Sequence, residues 1–408
     1  MKCRFCQNEL THEFIDLVNS PPSNAFLSEE QLNEPEAFYP LRVFVCEGCF
    51  LVQIDEYKKS EEIFSEEYVY FSSYSSMWLE HAKTYADMII QKLALNRLSR
   101  VIEIGSNDGY LLQYFLEKQI PCLGVEPTKS TAQAAKGKGI DVIEEFFGTR
   151  LARELVARGK KADLLIGNNV LAHVPDIHDF VQGLKIILKE TGVVNMEFPH
   201  LMQLVENNQF DTIYHEHFSY LSLFTVRKIF ASHGLKLFDV EELPTHGGSL
   251  RIYAAHAEDT THDISENITE MLMKESSLGM QDLSYYAHFQ DRADQIKYEL
   301  VSFLIEQKRR GKKVVAYGAA AKGNTLLNYC GVKRDLIEFV VDASPYKQGK
   351  FLPGSHIPVV SEELIGKTRP DFVLILPWNI KDEIMGQLEY IREWCGNFVI
   401  PIPEVNIL

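Results

Sequence analysis

The 408-residue chain has no uncharged apolar run long enough to span a bilayer, and its start shows no basic region leading into an apolar core. Neither a transmembrane helix nor a secretory leader is expected, which points to a cytoplasmic protein. Positive charge is short as well, with 41 Lys and Arg against 57 Asp and Glu and a formal net charge of −16. That balance repels a phosphate backbone, so neither DNA nor RNA is expected as a partner. Cysteine is scarce: there are seven, four of them in two Cys-x-x-Cys pairs. In a reducing compartment such pairs point to metal, not disulfides. Cys122, Cys330 and Cys395 sit in apolar stretches and read as buried small hydrophobes. The rest is ordinary globular composition, 46% hydrophobic and 24% charged, with length for two or three domains.

The stretch from Val101 to Leu112 organises the chain. Val101-Ile102-Glu103-Ile104 reads as a strand, Gly105-Ser106-Asn107-Asp108-Gly109 as a turn, and the following residues as a helix. Such a start frees backbone N–H groups for a ligand. A second strand, Cys122-Leu123-Gly124-Val125, ends in Glu126, whose carboxylate suits the two hydroxyls of a ribose. The turn lacks the G-x-G that lets a pyrophosphate approach, and Glu103 and Asp108 would repel a diphosphate. They could receive a cationic, amino-acid-bearing ligand. The pattern resembles the S-adenosylmethionine (SAM) site of class I methyltransferases. Asp141-Val142-Ile143, Asp163 to Asn168 and Gly192 to Pro199 continue the series of strands alternating with helical segments, which predicts a doubly wound parallel sheet. Phe146 and Phe147 are placed to flank an adenine, and Asn169 and His173 follow the fourth strand, at the edge where such sheets bind ligands.

Cys3-Arg4-Phe5-Cys6 and Cys46-Glu47-Gly48-Cys49 can complete a closed tetrahedral shell of sulfur, most simply for a structural zinc ion. Asp16 to Leu27 has little periodicity and reads as an ordered connection, while Pro40 to Val45 reads as a strand. Tyr68 to Trp78 is dense in aromatic and hydroxyl groups, including Tyr70, and leads into a helix from about Met77 to Leu95. It either lines a sugar or nucleotide pocket or packs as a linker.

Tyr214-His215-Glu216-His217 concentrates a phenol, two imidazoles and a carboxylate. The two histidines are two apart, so this is not a His-Glu-x-x-His zinc site. A base, an acid and a phenol can instead meet one substrate. His246-Gly247-Gly248 reads as a turn entering a strand, and residues 258–310 as helices with a solvated face. A second Rossmann-like half begins at Lys312, with Lys322 in its turn and Asn324 just beyond. Lys322 at a helix start suits a diphosphate. The weaker option for this half is an NAD site with Asp342 on the ribose.

Taken together, the cysteine pairs, Glu103-Ile-Gly105, Tyr214 to His217 and Tyr317-Gly318-Ala-Ala-Ala-Lys322-Gly323-Asn324 resemble the bacterial sugar C-methyltransferases that act on nucleotide-linked 4-keto-6-deoxyhexoses. The resemblance covers nearly the whole chain and implies an α/β architecture in three parts. These are a zinc lobe (1–75), a class I methyltransferase domain (76–245) and a Rossmann-like C-terminal domain (246–408) that helps bind the nucleotide-sugar. The family turn often has a glycine where this chain has Ala320. The implied reaction deprotonates the carbon next to the ketone, C3 favoured over C5, with His217 as base and His215 its rival. Glu216 would orient the base, and Tyr214 and His173 would donate to the enolate oxygen. SAM is implied at Glu103, Gly105, Asn107, Asp108, Glu126 and Asn169, and the substrate, expected as a dTDP-sugar, at Tyr70, His246, Lys322 and Asn324. Structural zinc falls to Cys3, Cys6, Cys46 and Cys49, and a monomer is expected. The competing activities are O- or N-methylation and NAD-dependent oxidoreduction.

Overall fold

The computed structural model describes residues 1–57, 71–74 and 76–408. Three sheets carry the fold. The first joins strands His12–Ser20, Tyr39–Val45 and Val52–Ile54 with Ser219–Tyr220, all antiparallel. Part of the expected connection after Asp16 is therefore strand. Its alternation is hidden by a shift in register between Asp16 and Asn19, where Val18 takes φ 64° and donates its N–H to Asp16 Oδ1 at 2.7 Å.

The second sheet has seven strands in the order Leu235–Leu243, Ser249–His256, Leu188–Pro199, Ala162–Asn168, Val101–Ile104, Cys122–Val125, Val142–Ile143. The last five are parallel, and Ser249–His256 runs antiparallel to both its neighbours. The chain leaves Val101–Ile104 in one direction through two strands and then crosses to Ala162–Asn168 on the other side. A crevice opens at that reversal, beyond the carboxyl ends of the strands. Helix Ser76–Lys92 covers the sheet with Ala82, Tyr85, Ala86 and Ile89, a buried stripe at helical spacing.

The domain boundary expected between 245 and 246 falls inside a hairpin. Ser249–His256 slots between two strands of the methyltransferase sheet, so those residues complete the middle domain. Helices Glu266–Ser277 and Phe289–Arg309 lead to the third sheet, ordered Val359–Val360, Val340–Val341, Val314–Tyr317, Phe372–Ile375, Asn397–Ile400, Asn406–Ile407 and parallel except for the last strand. This is the expected Rossmann-like half. Cys330 is buried and Cys122 half-buried, but Cys395 is exposed, because it occupies a left-handed helix-ending position at φ 60°. Among the described residues no helix is long and apolar enough to cross a membrane.

Candidate active site

The four cysteine sulfurs lie within 4.8 Å of one another. Cys3 Sγ and Cys49 Sγ are 3.5 Å apart, Cys6 Sγ and Cys46 Sγ 3.3 Å, and none is in a disulfide. Each pair closes a similar knuckle: the N–H after it returns to the first cysteine's carbonyl, Gln7 to Cys3 at 3.0 Å and Phe50 to Cys46 at 2.8 Å. Gln7 and Phe50 both take a positive φ to do so. Gln53 Nε2 donates to Cys3 Sγ at 3.2 Å, as suits a metal-bound thiolate. The donor set fits tetrahedral zinc.

A cavity of about 800 Å³ opens at the reversal of the middle sheet, room enough for a cofactor and a substrate. At one end Gly105, at φ 66°, brings backbone to the wall, where a Cβ would lie 2.6 Å from Val170 Cγ2. Glu126 also lines this end, and its two carboxylate oxygens accept from the N–H groups of Asn107 and Thr128, each at 2.9 Å. Those bonds fix the carboxylate where a ribose diol would meet it, while burial raises its pKa. Asn107, Asn169 and Phe147 line the same region, with Phe146.

Two expected cofactor residues do not line the cavity. Glu103 is fully buried, and its neighbour Ile104 takes the wall position, as alternation along a strand requires. Burial pushes the Glu103 carboxyl well above the usual carboxylate range. Asp108 turns to the N–H of Ser73 at 3.3 Å and towards the Lys138 ammonium at 3.7 Å.

At the opposite end Tyr214 and His217 close a β-turn, His217 N–H to Tyr214 carbonyl at 2.9 Å. The His217 Nδ1 lies 2.9 Å from the Thr212 carbonyl, which can only accept, so Nδ1 carries the ring proton. Nε2 therefore presents a lone pair, and the Tyr214 hydroxyl donates to it at 2.8 Å. Burial, then the neighbouring His173, push His217 well below the usual histidine range. The His173 ring centroid is 4.7 Å from that of His217, and His173 bonds the Glu216 backbone carbonyl. Tyr214, Glu216 and His173 line the cavity, with His217 directly behind Tyr214. His215 faces the zinc lobe and donates through Nε2 to the Pro40 carbonyl at 3.1 Å. Glu216 does not orient His217 as expected; the Thr212 carbonyl does. Glu216 Oε1 instead accepts from Asn24 Nδ2 at 2.7 Å.

The C-terminal domain adds Lys322, at the start of helix Ala321–Cys330. Its ammonium donates to Asn379 Oδ1 at 2.7 Å and lies 4.5 Å from the centre of the Trp378 ring, whose Nε1 donates to Asp211 Oδ2 at 2.8 Å. Burial pushes Lys322 down to about 8 and Asp211 up to about 6, against their mutual attraction. His246 reaches the cavity from a left-handed position at φ 55°, and burial lowers it to about 4. Asn324 does not line the cavity: its Nδ2 is spent on the Ser23 carbonyl at 2.6 Å. Asp342 caps its own turn, accepting from Ala319 and Ser344 N–H groups at 2.8 Å. Tyr70 lies outside the described residues.

Over 407 residues the chain is 34% identical to the C-methyltransferase NovU of Streptomyces niveus, across 100% of this chain and 96% of that one. The chain belongs to the C-methyltransferase family. Residues 244–403 match a C-methyltransferase C-terminal domain, 3–64 a zinc binding domain and 78–240 a methyltransferase domain. Among solved structures, the magnesium protoporphyrin IX methyltransferase ChlM of Synechocystis with bound SAM matches at 15% identity, over 44% of this chain and 81% of that one, with a TM-score of 0.33. A SAM-dependent methyltransferase of Clostridium acetobutylicum matches at 13% identity, over 43% and 91%, with a TM-score of 0.35. This C-methyltransferase uses SAM as methyl donor and holds zinc in its four-cysteine lobe.

Several residues of the C-methyltransferase site had no clear signal in the sequence. Trp78, the end of the aromatic stretch expected either to line a pocket or to pack as a linker, does line the cavity, and His81, one turn on, stacks on it at 4.9 Å with only the i, i+3 spacing to hint at its place. His81 Nε2 lies 3.0 Å from Glu197 Oε2, which also takes the Arg251 guanidinium at 2.8 Å. Burial would raise the Glu197 carboxyl, but His81 and Arg251 outweigh it and hold it down to about 2. Pro377 and Asn379 follow the carboxyl end of strand Phe372–Ile375, a placement that open-sheet logic could have flagged.

Proposed function

We propose that this enzyme methylates the carbon next to the ketone of a nucleotide-linked 4-keto-6-deoxyhexose, C3 in a dTDP-sugar being the favoured position. The observation that carries the reading is the Tyr214–His217 pair, a phenol donating at 2.8 Å to an imidazole nitrogen whose other nitrogen is held protonated by Thr212. A carbon nucleophile needs a proton taken from a C–H made acidic by its neighbouring carbonyl. His217 serves as general base. Tyr214 stands between it and the cavity, so the substrate proton passes to the phenolic oxygen as the phenol's proton passes to Nε2. His173 lies on the same wall, its ring proton bonded to the Glu216 backbone carbonyl. When bound, SAM would supply an electrophilic methyl group to the enolate carbon, its S–CH3 bond breaking to leave S-adenosylhomocysteine. Gly105, Asn107, Glu126 and Asn169 would hold the cofactor. His246 and Lys322, with the backbone at the start of helix Ala321–Cys330, would hold the nucleotide-sugar.

Four thiolates kept for zinc suit the reducing cytoplasm.

Deuterium wash-in tests the proposal. A dTDP-4-keto-6-deoxyhexose is incubated in D2O with enzyme and a SAM analogue lacking the transferable methyl, and exchange is followed by NMR. Enzyme-dependent exchange at C3 is expected. Exchange at C5 would move the methylated carbon. No exchange with both ligands bound would overturn enolate chemistry in favour of a heteroatom acceptor.

A further inference from the structure

The segment after the first strand of the zinc lobe is anchored on the C-terminal domain. The Ser23 carbonyl accepts from Asn324 Nδ2 at 2.6 Å. Leu27 and Phe351 exchange backbone hydrogen bonds at 3.0 and 2.9 Å. Further on, Glu36 accepts from the Gly354 N–H at 2.8 Å and pairs with His356 at 2.9 Å. Between the first two anchors the Asn24 side chain reaches the cavity and donates to Glu216 Oε1 at 2.7 Å.

Glu216 is almost fully buried, so its carboxylate needs donors to replace lost water. The lobe supplies the Asn24 amide, which fixes one carboxylate oxygen in place. Glu216 so held lies on the cavity wall, two residues from Tyr214 in sequence.

We propose that Asn24 is a positioning residue for Glu216, holding its carboxylate to accept a hydrogen bond from a sugar hydroxyl beside the reacting ketone. The inference rests on the reading of the cavity as a ketosugar site. It makes the zinc lobe a working wall of the active site, beyond its role as a metal-stabilised appendage.

A double-mutant cycle tests it. Asn24→Ala is expected to lower kcat/KM by roughly 10-fold or more, the worth of a hydrogen bond to a charged group. The loss should fall mainly on kcat, with zinc content and SAM affinity unchanged. In a Glu216→Ala background the same substitution should change kcat/KM by less than about 3-fold, since the acceptor it serves is gone. A loss of equal size in both backgrounds would overturn the proposal. A second readout needs no turnover. Asn24→Asp places a carboxylate against Glu216 and should lower the melting temperature at pH 7, and much less so when Glu216 is also Gln. Equal lowering in both backgrounds would again overturn the contact. Absence of methyl transfer by the unaltered enzyme to any 4-ketosugar would instead overturn the reaction assignment, leaving the melting comparison to decide on Asn24.

Discussion

Tyr214 and His217 meet across a single β-turn, hydroxyl to Nε2 at 2.8 Å, with the phenol on the cavity wall and the imidazole behind it. The order matters, because a proton leaving the substrate meets Tyr214 first. His217→Ala should therefore fold and bind SAM but lose about 10²- to 10⁴-fold in kcat, the usual range for a general base. Tyr214→Phe should be of comparable severity, and the double variant little worse than either, because the pair acts as a unit. Wash-in rates in D2O measure the step directly. Full exchange activity in Tyr214→Phe would mean that His217 reaches the carbon unaided.

The pH dependence follows from two displaced groups. His217 lies well below the usual histidine value, chiefly through burial, so it stays an unprotonated base as pH falls through 6.5. The acid limb of kcat/KM should accordingly sit below pH 6.5. Lys322, lowered to about 8 by burial, is charged below that pH and neutral above it. If its charge binds the anionic substrate, kcat/KM should fall as pH rises through about 8. Lys322→Met should lower kcat/KM at neutral pH and remove that alkaline limb. A limb unmoved in Lys322→Met would assign it to another group.

Much of the scaffold was readable because its strands are short buried runs ending in marked turns. Val101–Ile104 before Gly105 and Cys122–Val125 before Glu126 are such cases. The cysteine pairs were readable because ligand spacing is local. Other features depend on what the chain meets in space. The strand His12–Ser20 hid behind its irregular register at Asp16 and Asn19. Ser249–His256 looks like the opening of a new domain, since nothing local says that a strand inserts between two earlier ones. Asn324 lies beside a ligand-like turn in sequence, yet its side chain serves Ser23, and Asn24 looked like loop while it serves Glu216. Polar residues of one type read alike until their partners are known.

Zinc removal should reach the catalytic turn. Strand Ser219–Tyr220 begins two residues after His217 and pairs with Val52–Ile54 of the lobe, just beyond Cys49. Loss of metal leaves four buried or half-buried thiols with no common centre and releases that edge. Chelation, or Cys46→Ser, should lower activity by about 10²-fold or more and lower the melting temperature, as expected when a structural metal is lost. Added zinc should restore the chelated protein but not the variant. Metal analysis alongside activity checks this. Full activity without zinc would separate the lobe from the site.

Gly105 offers a change confined to the cofactor end. At φ 66° an alanine is strained by about 1 kcal/mol, and its Cβ would press Val170 at 2.6 Å. Val170 follows Asn169, which is itself held at φ 54° by its N–H bond to the Glu197 carbonyl at 2.7 Å. The clash therefore falls between the turn and a second residue of the proposed SAM site, leaving the Tyr214–His217 turn untouched. Gly105→Ala should weaken SAM binding by roughly 10-fold or more in titration calorimetry, as overpacking of 1–3 kcal/mol implies. The affinity for nucleotide-sugar should stay within about 3-fold, a spread within the few tenths of a kcal/mol expected for separated sites. A loss of sugar affinity equal to the loss of SAM affinity would mean that the two ends of the cavity are one mechanical unit. Their separate loss would locate the methyl donor at the Gly105 turn and the acceptor at the far wall.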